Sequence, residues 1–290
     1  MLSPDTNMTS ATPVSAVATA SLAPVFFISH GAPTFALEPG RLGPLLRAAG
    51  QQLQGVKAVL VVSPHWQTRG VRVSTSPAPE TVHDFGGFPA PLYALHYPVA
   101  GHPALAAQVA ELLAATGWPT STDGQRGLDH GAWVPLRHLL PASNVPVFQV
   151  SLPLGLNAGT ALQLGEALAA VRALGVAVVT TGSMTHNLYE VDFQAGPDSV
   201  SAEYVTDFTR WVRQAVSQND TQKLVDYRQQ APHAQRAHPT EEHFLPLLVA
   251  MGARGNAEPV QVLDGGTTYH VLAMESYAWG LPAANTETTH

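Results

Sequence analysis

Apolar residues along this chain follow two alternating rhythms. Short continuous runs at residues 25–29, 58–63, 145–152 and 176–181 are mostly rich in β-branched side chains and are bounded by Gly, Pro or Ser. Runs of that length and composition predict buried strands. Between them the apolar positions repeat at helical spacing. Residues 103–116 open on Pro103 and align Leu105, Val109, Leu112 and Leu113, as expected of a helix with proline in its first turn. Residues 160–174 form a second periodic segment that stops at Gly175, a helix-ending signal. Residues 201–216 place Tyr204, Phe208, Trp211 and Val212 on a shared face, residues 241–251 make a shorter and more apolar helix, and residues 260–263 and 269–274 read as closing strands. Strands alternating with helices predict one α/β domain, a largely parallel central sheet flanked by helices.

The periodic pattern has no internal repeat and no linker, so residues 24–282 are expected to form a single domain. Residues 1–23 are rich in Ser, Thr, Ala and Pro without a basic start or a continuous apolar run, and are read as a disordered leader rather than a signal peptide. Residues 283–290 are read as a flexible tail. Residues 75–98, rich in Pro and Gly, are long for a plain connection, and loops of that length usually carry function.

Composition narrows the chemistry. Apolar residues make up 45% of the 290 and charged residues 12%, the balance of a chain with a packed core. A net charge of −7 with no basic run excludes the electrostatic footprint of a nucleic-acid binder. No stretch approaches the roughly 20 apolar residues that cross a bilayer, so a cytoplasmic protein without a membrane partner is the default expectation. With no cysteine, disulfides, thiolate metal sites and cysteine nucleophiles are all excluded. The 13 histidines nearly equal the 14 lysines and arginines, and histidine is both the commonest metal ligand and the usual acid–base group near neutral pH.

Position says more than number. His30 follows the first predicted strand in Ser-His-Gly-Ala-Pro, His65 follows the second in Ser-Pro-His-Trp, and His186 follows the strand at 176–181 in Gly-Ser-Met-Thr-His-Asn. The carboxyl edge of an open α/β sheet is where ligands bind. A single histidine there is more often a hydrogen-bonded loop residue than a ligand; three strand ends repeating the pattern keep both readings open. His243, in Glu-Glu-His-Phe-Leu-Pro, is expected in the first turn of the helix at 241–251, and His130, in Leu-Asp-His-Gly-Ala-Trp, sits beside a glycine. Asp84 and Asp129 are either orienting partners of nearby histidines or turn formers. Glu241 and Glu242 read as a solvated helix start, with a carboxylate ligand as the alternative. The remaining histidines, His96, His102, His138, His233, His238, His270 and His290, are read as surface or loop residues.

These motifs, together with His-Asp-Phe-Gly-Gly-Phe-Pro at 83–89, occur in a set order from about Val25 to Trp279. In that order the chain resembles the class III extradiol ring-cleavage dioxygenases, the family of the protocatechuate 4,5-dioxygenase catalytic subunit, and within it the 4,5-DOPA dioxygenase branch. The resemblance implies that His30 and His65 bind a metal, and that His243 supplies the third ligand where the wider family has a glutamate. It implies that His186 is the acid–base catalyst and a candidate fourth ligand, that His130 contacts substrate or oxygen, and that residues 83–89 lie near the substrate. The implied reaction opens the ring of a small catechol, such as DOPA, with both atoms of O2. Fe(II) is the implied working metal. Three imidazoles suit Zn(II) as well, and zinc, having no redox chemistry, would be an inactive substitute or the mark of a different enzyme.

Two other functions fit the same residues. A zinc hydrolase would use a metal-bound hydroxide with His186 as its proton carrier. A non-catalytic binding protein would keep the fold without the activity, and ranks last because His30, His65, His186 and His243 are all present. Arg126 and Arg236 are candidates for holding an amino-acid carboxylate. The sequence carries no segment that fixes an oligomeric state.

Overall fold

Val25–Ser29 (β1) is buried along its whole length in the computed structural model, which describes residues 22–256 and 258–281. Its neighbours explain why. In chain order the strands are β2 (Ala58–Thr68), β3 (Val71–Ser74), β4 (Thr120–Asp123), β5 (Val147–Pro153), β6 (Val176–Gly182), β7 (Val260–Leu263), β8 (Thr267–Thr268), β9 (Leu272–Ala273) and β10 (Ser276–Trp279). Eight of them form one sheet in the order β4-β3-β5-β2-β6-β1-β10-β7, while β8 and β9 pair separately. The centre, β5-β2-β6-β1, is parallel; β10 and β7 close one edge antiparallel.

Helices cover both faces. Leu42–Gly50 (α1) packs on one face. Pro103–Ala115 (α2) packs on the other, His130–Leu139 (α3) joins α1, and Ala158–Leu168 (α4), Glu203–Ser217 (α5) and Leu245–Ala253 (α6) join α2. Along β1, Val25 and Phe27 enter the core under α2, α4, α5 and α6, whereas Phe26 and Ile28 enter the core under α1 and α3. A strand buried at every position, and apolar at all but its last, is what a parallel sheet covered on both sides requires. The four long runs read from the pattern are therefore the four central strands. Among the described residues no helix is long and apolar enough to cross a membrane.

Several expectations need correcting. The strand expected at 269–274 is only the two-residue β9, because Tyr269 and His270 take left-handed backbone (φ 53° and 63°); the closing strand is β10, a few residues later. The helix expected at 241–251 starts at Leu245, with Pro246 in its first turn, so His243 lies in the turn before the helix. Residues 58–63 continue as strand to Thr68, with the ladder to β5 interrupted between Val62 and Gln67. The periodic segment at 160–174 is α4 followed by a 3-10 turn over Ala169–Leu174, ended by Gly175 at φ 83°. The tail, most of the leader and His290 lie outside the described residues; Ala23 is already tied to the fold through Arg172, whose Nε donates to the Ala23 carbonyl at 2.6 Å.

Candidate metal centre

β1, β2 and the turn after β6 deliver three of the five candidate histidines to one place. At the end of β1, Ser29 Oγ donates to the Glu275 carbonyl at 2.6 Å and accepts from Met184 N at 3.0 Å. One buried hydroxyl thus pins β1 both to the approach of β10 and to the loop after β6. The next residue, His30, is anchored by its own N–H to the Gly182 carbonyl at 2.9 Å, and Gly31 turns the chain away at φ 59°. His65 lies in the interrupted stretch of β2. Such a bulge re-aims a side chain that a regular ladder would hold to its face.

The other two arrive by caps and turns. Asp129 caps α3, accepting from Ala132 N, and so fixes His130 as the first residue of that helix. The same buried carboxylate accepts from Ser63 Oγ (2.7 Å), Arg126 Nη2 (2.7 Å) and Gln149 Nε2 (2.9 Å), which ties α3 to β2 and β5. His243 reaches the centre because Ser183 N donates to its carbonyl at 2.9 Å. His186 N donates to the Ala237 carbonyl at 2.8 Å, a second tie between the same two segments.

His30, His65 and His243 each offer a ring nitrogen, and these lie within 4.8 Å of one another. The Nε2 atoms of His30 and His65 are 3.2 Å apart. Two nitrogens bound to one ion at about 2.0–2.1 Å stand about 3 Å apart, so the spacing fits a shared metal. Nε2 of His243 is buried without a partner in the protein. An orphaned nitrogen inside a ring of imidazoles fits a cation acceptor better than an apolar core. Burial, reinforced by the neighbouring histidines, holds His30 and His243 well below the ordinary imidazole range. Burial lowers His65 to about 4, with His130 adding and Asp129 and Asp84 opposing. The ligand-forming neutral state is therefore the resting one.

His186 lies flat against His243, ring centroids 3.5 Å apart and planes 8° off parallel. Burial lowers it to about 4, partly opposed by Glu242. His130 stands 4.0 Å from His65, centroid to centroid. Its Nδ1 faces Asp84 Oδ1 at 3.0 Å, and its backbone N–H donates to the same oxygen at 2.8 Å. Burial pushes Asp84 up, but these bonds outweigh it and hold the carboxyl at about 2. Because a carboxylate only accepts, Nδ1 of His130 carries a proton toward Asp84, and Nε2 is turned away from it.

An aromatic wall begins at that ring. Phe85 meets His130 edge-on at 5.7 Å and Phe88 at 5.6 Å; Phe88 meets Phe193, and Phe193 meets Tyr269. The long loop at 75–98 thus supplies side chains beside the centre. Phe193 and Tyr269 carried no sequence signal, being single aromatics in irregular segments.

Of the two orienting candidates, Asp84 does bond a histidine, and Asp129 bonds Ser63 instead. Glu242 is not a merely solvated helix start: its Oε1 lies 3.1 Å from His243 Nδ1. Glu241 is tied to Tyr227 and Arg228. Neither candidate arginine is free, since Arg126 is paired with Asp129 and Arg236 with Glu190. Two histidines read as surface residues are buried: His138 donates to the Phe35 carbonyl at 2.8 Å, and His238 to the Met184 carbonyl at 2.9 Å. His96 and His233 are exposed, as expected, and His102 caps α2 by accepting from Leu105 N.

Comparison with known proteins follows the same residues. A family model described as the catalytic LigB subunit of aromatic ring-opening dioxygenase matches residues 26–278. A Beta vulgaris protein named 4,5-DOPA dioxygenase extradiol is 35% identical over 256 residues, 87% of this chain and 94% of that one. An Escherichia coli K12 protein of the same name is 35% identical over 261 residues, covering 89% and 94%. Among solved structures, an uncharacterized E. coli K12 protein superposes with a TM-score of 0.72 at 30% identity, covering 88% of this chain and 99% of that one.

Proposed function

The chain belongs to the LigB family of aromatic ring-opening dioxygenases and is a metal-dependent extradiol enzyme acting on a small aromatic substrate with O2; from that premise we propose a Fe(II) enzyme that cleaves a catechol of the DOPA class. His30, His65 and His243 hold the metal in this reading, His186 is the acid–base group, and His130 accepts a proton or hydrogen bond from a substrate hydroxyl. The observation that carries it is the meeting of three ring nitrogens within 4.8 Å, one from the end of β1, one from within β2 and one from a distant turn. The zinc hydrolase finds no support among the relatives.

A bound ferrous ion would hold catechol and dioxygen side by side and pass electron density between them. Every proton is left to the chain. His186, neutral at rest, takes one from a hydroxyl and returns one later as the general acid–base group. Its parallel stacking on His243 supports a place beside the ligands. Rings 3.5 Å apart and nearly parallel keep their in-plane lone pairs in separate planes, a poor arrangement for two ligands on one ion. His130, held by Asp84 through Nδ1, turns Nε2 away from that carboxylate. The aromatic wall from Phe85 to Tyr269 offers ring edges and faces to an aromatic substrate.

The test loads purified protein with Fe(II) without air, then adds a catechol and oxygen. The expected result is a yellow ring-opened semialdehyde with matching oxygen uptake. No uptake across a panel of catechols, together with ester or amide hydrolysis by the zinc form, would replace this function with the hydrolase.

A further inference from the structure

Three imidazoles carry no charge, yet ferrous oxygenase sites commonly combine two histidines with a carboxylate. We propose that Glu242 is a positioning residue: it fixes the tautomer of His243 and returns a negative charge to the site one ring outward from the metal. The proposal rests on the reading of His243 as a ligand and deepens it.

The geometry is specific to this histidine. Glu242 Oε1 stands 3.1 Å from His243 Nδ1. A carboxylate cannot donate, so Nδ1 carries the hydrogen and the only lone pair is on Nε2. That atom is buried without a partner, and His243 belongs to the convergent group with His30 and His65. The carboxylate is itself held, because Thr240 Oγ1 donates to the same oxygen at 2.8 Å. The turn is closed below it by Phe244 N donating to the Glu241 carbonyl at 2.8 Å. His30, by contrast, has no partner on Nδ1, and among the described residues no carboxylate hydrogen-bonds to the ring of His30 or His65. A ligating imidazole whose outer N–H faces a carboxylate is both oriented and made more basic. The Thr240–Glu242–His243 chain therefore supplies orientation and charge to the one ligand that no strand positions.

The test titrates the metal-free protein and four variants with Co(II) under argon, reading affinity and the visible absorption bands. Glu242→Gln is expected to bind roughly 10–100-fold more weakly, with shifted bands and unchanged thermal unfolding of the metal-free form. Thr240→Val, an exposed turn substitution, is expected to weaken binding less, and its effect to vanish in the Glu242→Gln background, because the two residues act as a unit. Thr240→Val also provides a reading if the Gln variant does not fold. Glu242→Gln with native affinity and native bands would overturn the positioning role. So would a Gln variant that loses Co(II) as completely as His243→Ala, since Glu242 would then be a ligand itself. Native Co(II) affinity in His243→Ala would instead sink the ligand assignment on which the inference stands.

Discussion

At the scale of single residues, the five histidines of the centre differ in what holds the outer side of each ring. His243 has Glu242 and His130 has Asp84, while His186 is fixed through its backbone and its stacking. That difference separates their expected roles. If His30 and His65 are ligands as proposed, His30→Ala and His65→Ala are expected to abolish metal binding. His186→Ala is expected to keep metal affinity within a few-fold and to lose turnover by roughly 10²–10⁴, the usual worth of a general acid–base group. Native turnover in that variant would remove His186 from the proton chemistry. Asp84→Asn tests the partner of His130: the amide still accepts from Nδ1 but no longer holds a charge. Its kcat is expected to fall by roughly 10–100-fold, with metal affinity intact. A variant that instead lost metal would place Asp84 among the groups that build the ligand set.

At the scale of elements, the sequence pattern read well wherever burial alone decided the structure. The four central strands and α2, α4 and α5 were legible because their apolar rhythm is uninterrupted. Two of the elements that were missed, α3 and β4, lack the ordinary local signal. α3 contains Gly131 and Pro135, both helix-breaking by propensity, yet Asp129 caps it and the core beneath holds it. β4, Thr-Ser-Thr-Asp, has no apolar residue to read. Of the site, His30, His65 and His186 were visible as positions and Asp84 as an orienting candidate, but which ring Asp84 or Glu242 holds was not assignable, because a hydrogen bond between distant or irregular segments leaves no periodicity. Gly131 shows what the departure from helix propensity serves. A β-carbon there would collide with Ser63 Oγ and stand 2.8 Å from His65 Cδ2, so only glycine lets α3 close on the β2 bulge. Gly131→Ala is expected to lose about 1–3 kcal/mol of stability by overpacking and to weaken metal binding through His65. Gly86→Ala, which faces open space, is the control and should match the native protein in urea unfolding. Equal midpoints for the two variants would show that the fit between α3 and β2 is loose.

At the scale of the whole molecule, the sheet gathers titratable rings into an interior that disfavours their charged form, and this couples the site to global stability. Burial lowers His65 and His186 to about 4 and His238 to about 3, with His30 and His243 lowered as well, from an ordinary value of 6.5. The unfolded chain therefore binds more protons than the folded one between about pH 6.5 and pH 4, and unfolding becomes easier as pH falls through that window. Asp84, held at about 2, acts lower: its contribution is present above the unfolded carboxyl value near 3.8 and is lost toward pH 2. The metal-free protein should accordingly show a falling urea midpoint from pH 7.5 to 5.5 to 4.5, and the Co(II)-loaded protein should release its metal over the same interval because protonated imidazoles cannot ligate. His238 separates the two effects. It is buried under α5 and bonded to the Met184 carbonyl, and has no place in the ligand group. His238→Gln is expected to reduce the pH slope of stability while leaving the pH of metal release unchanged. A urea midpoint independent of pH between 7.5 and 4.5 would mean that water reaches these rings, and that the dry interior assigned to the centre does not exist.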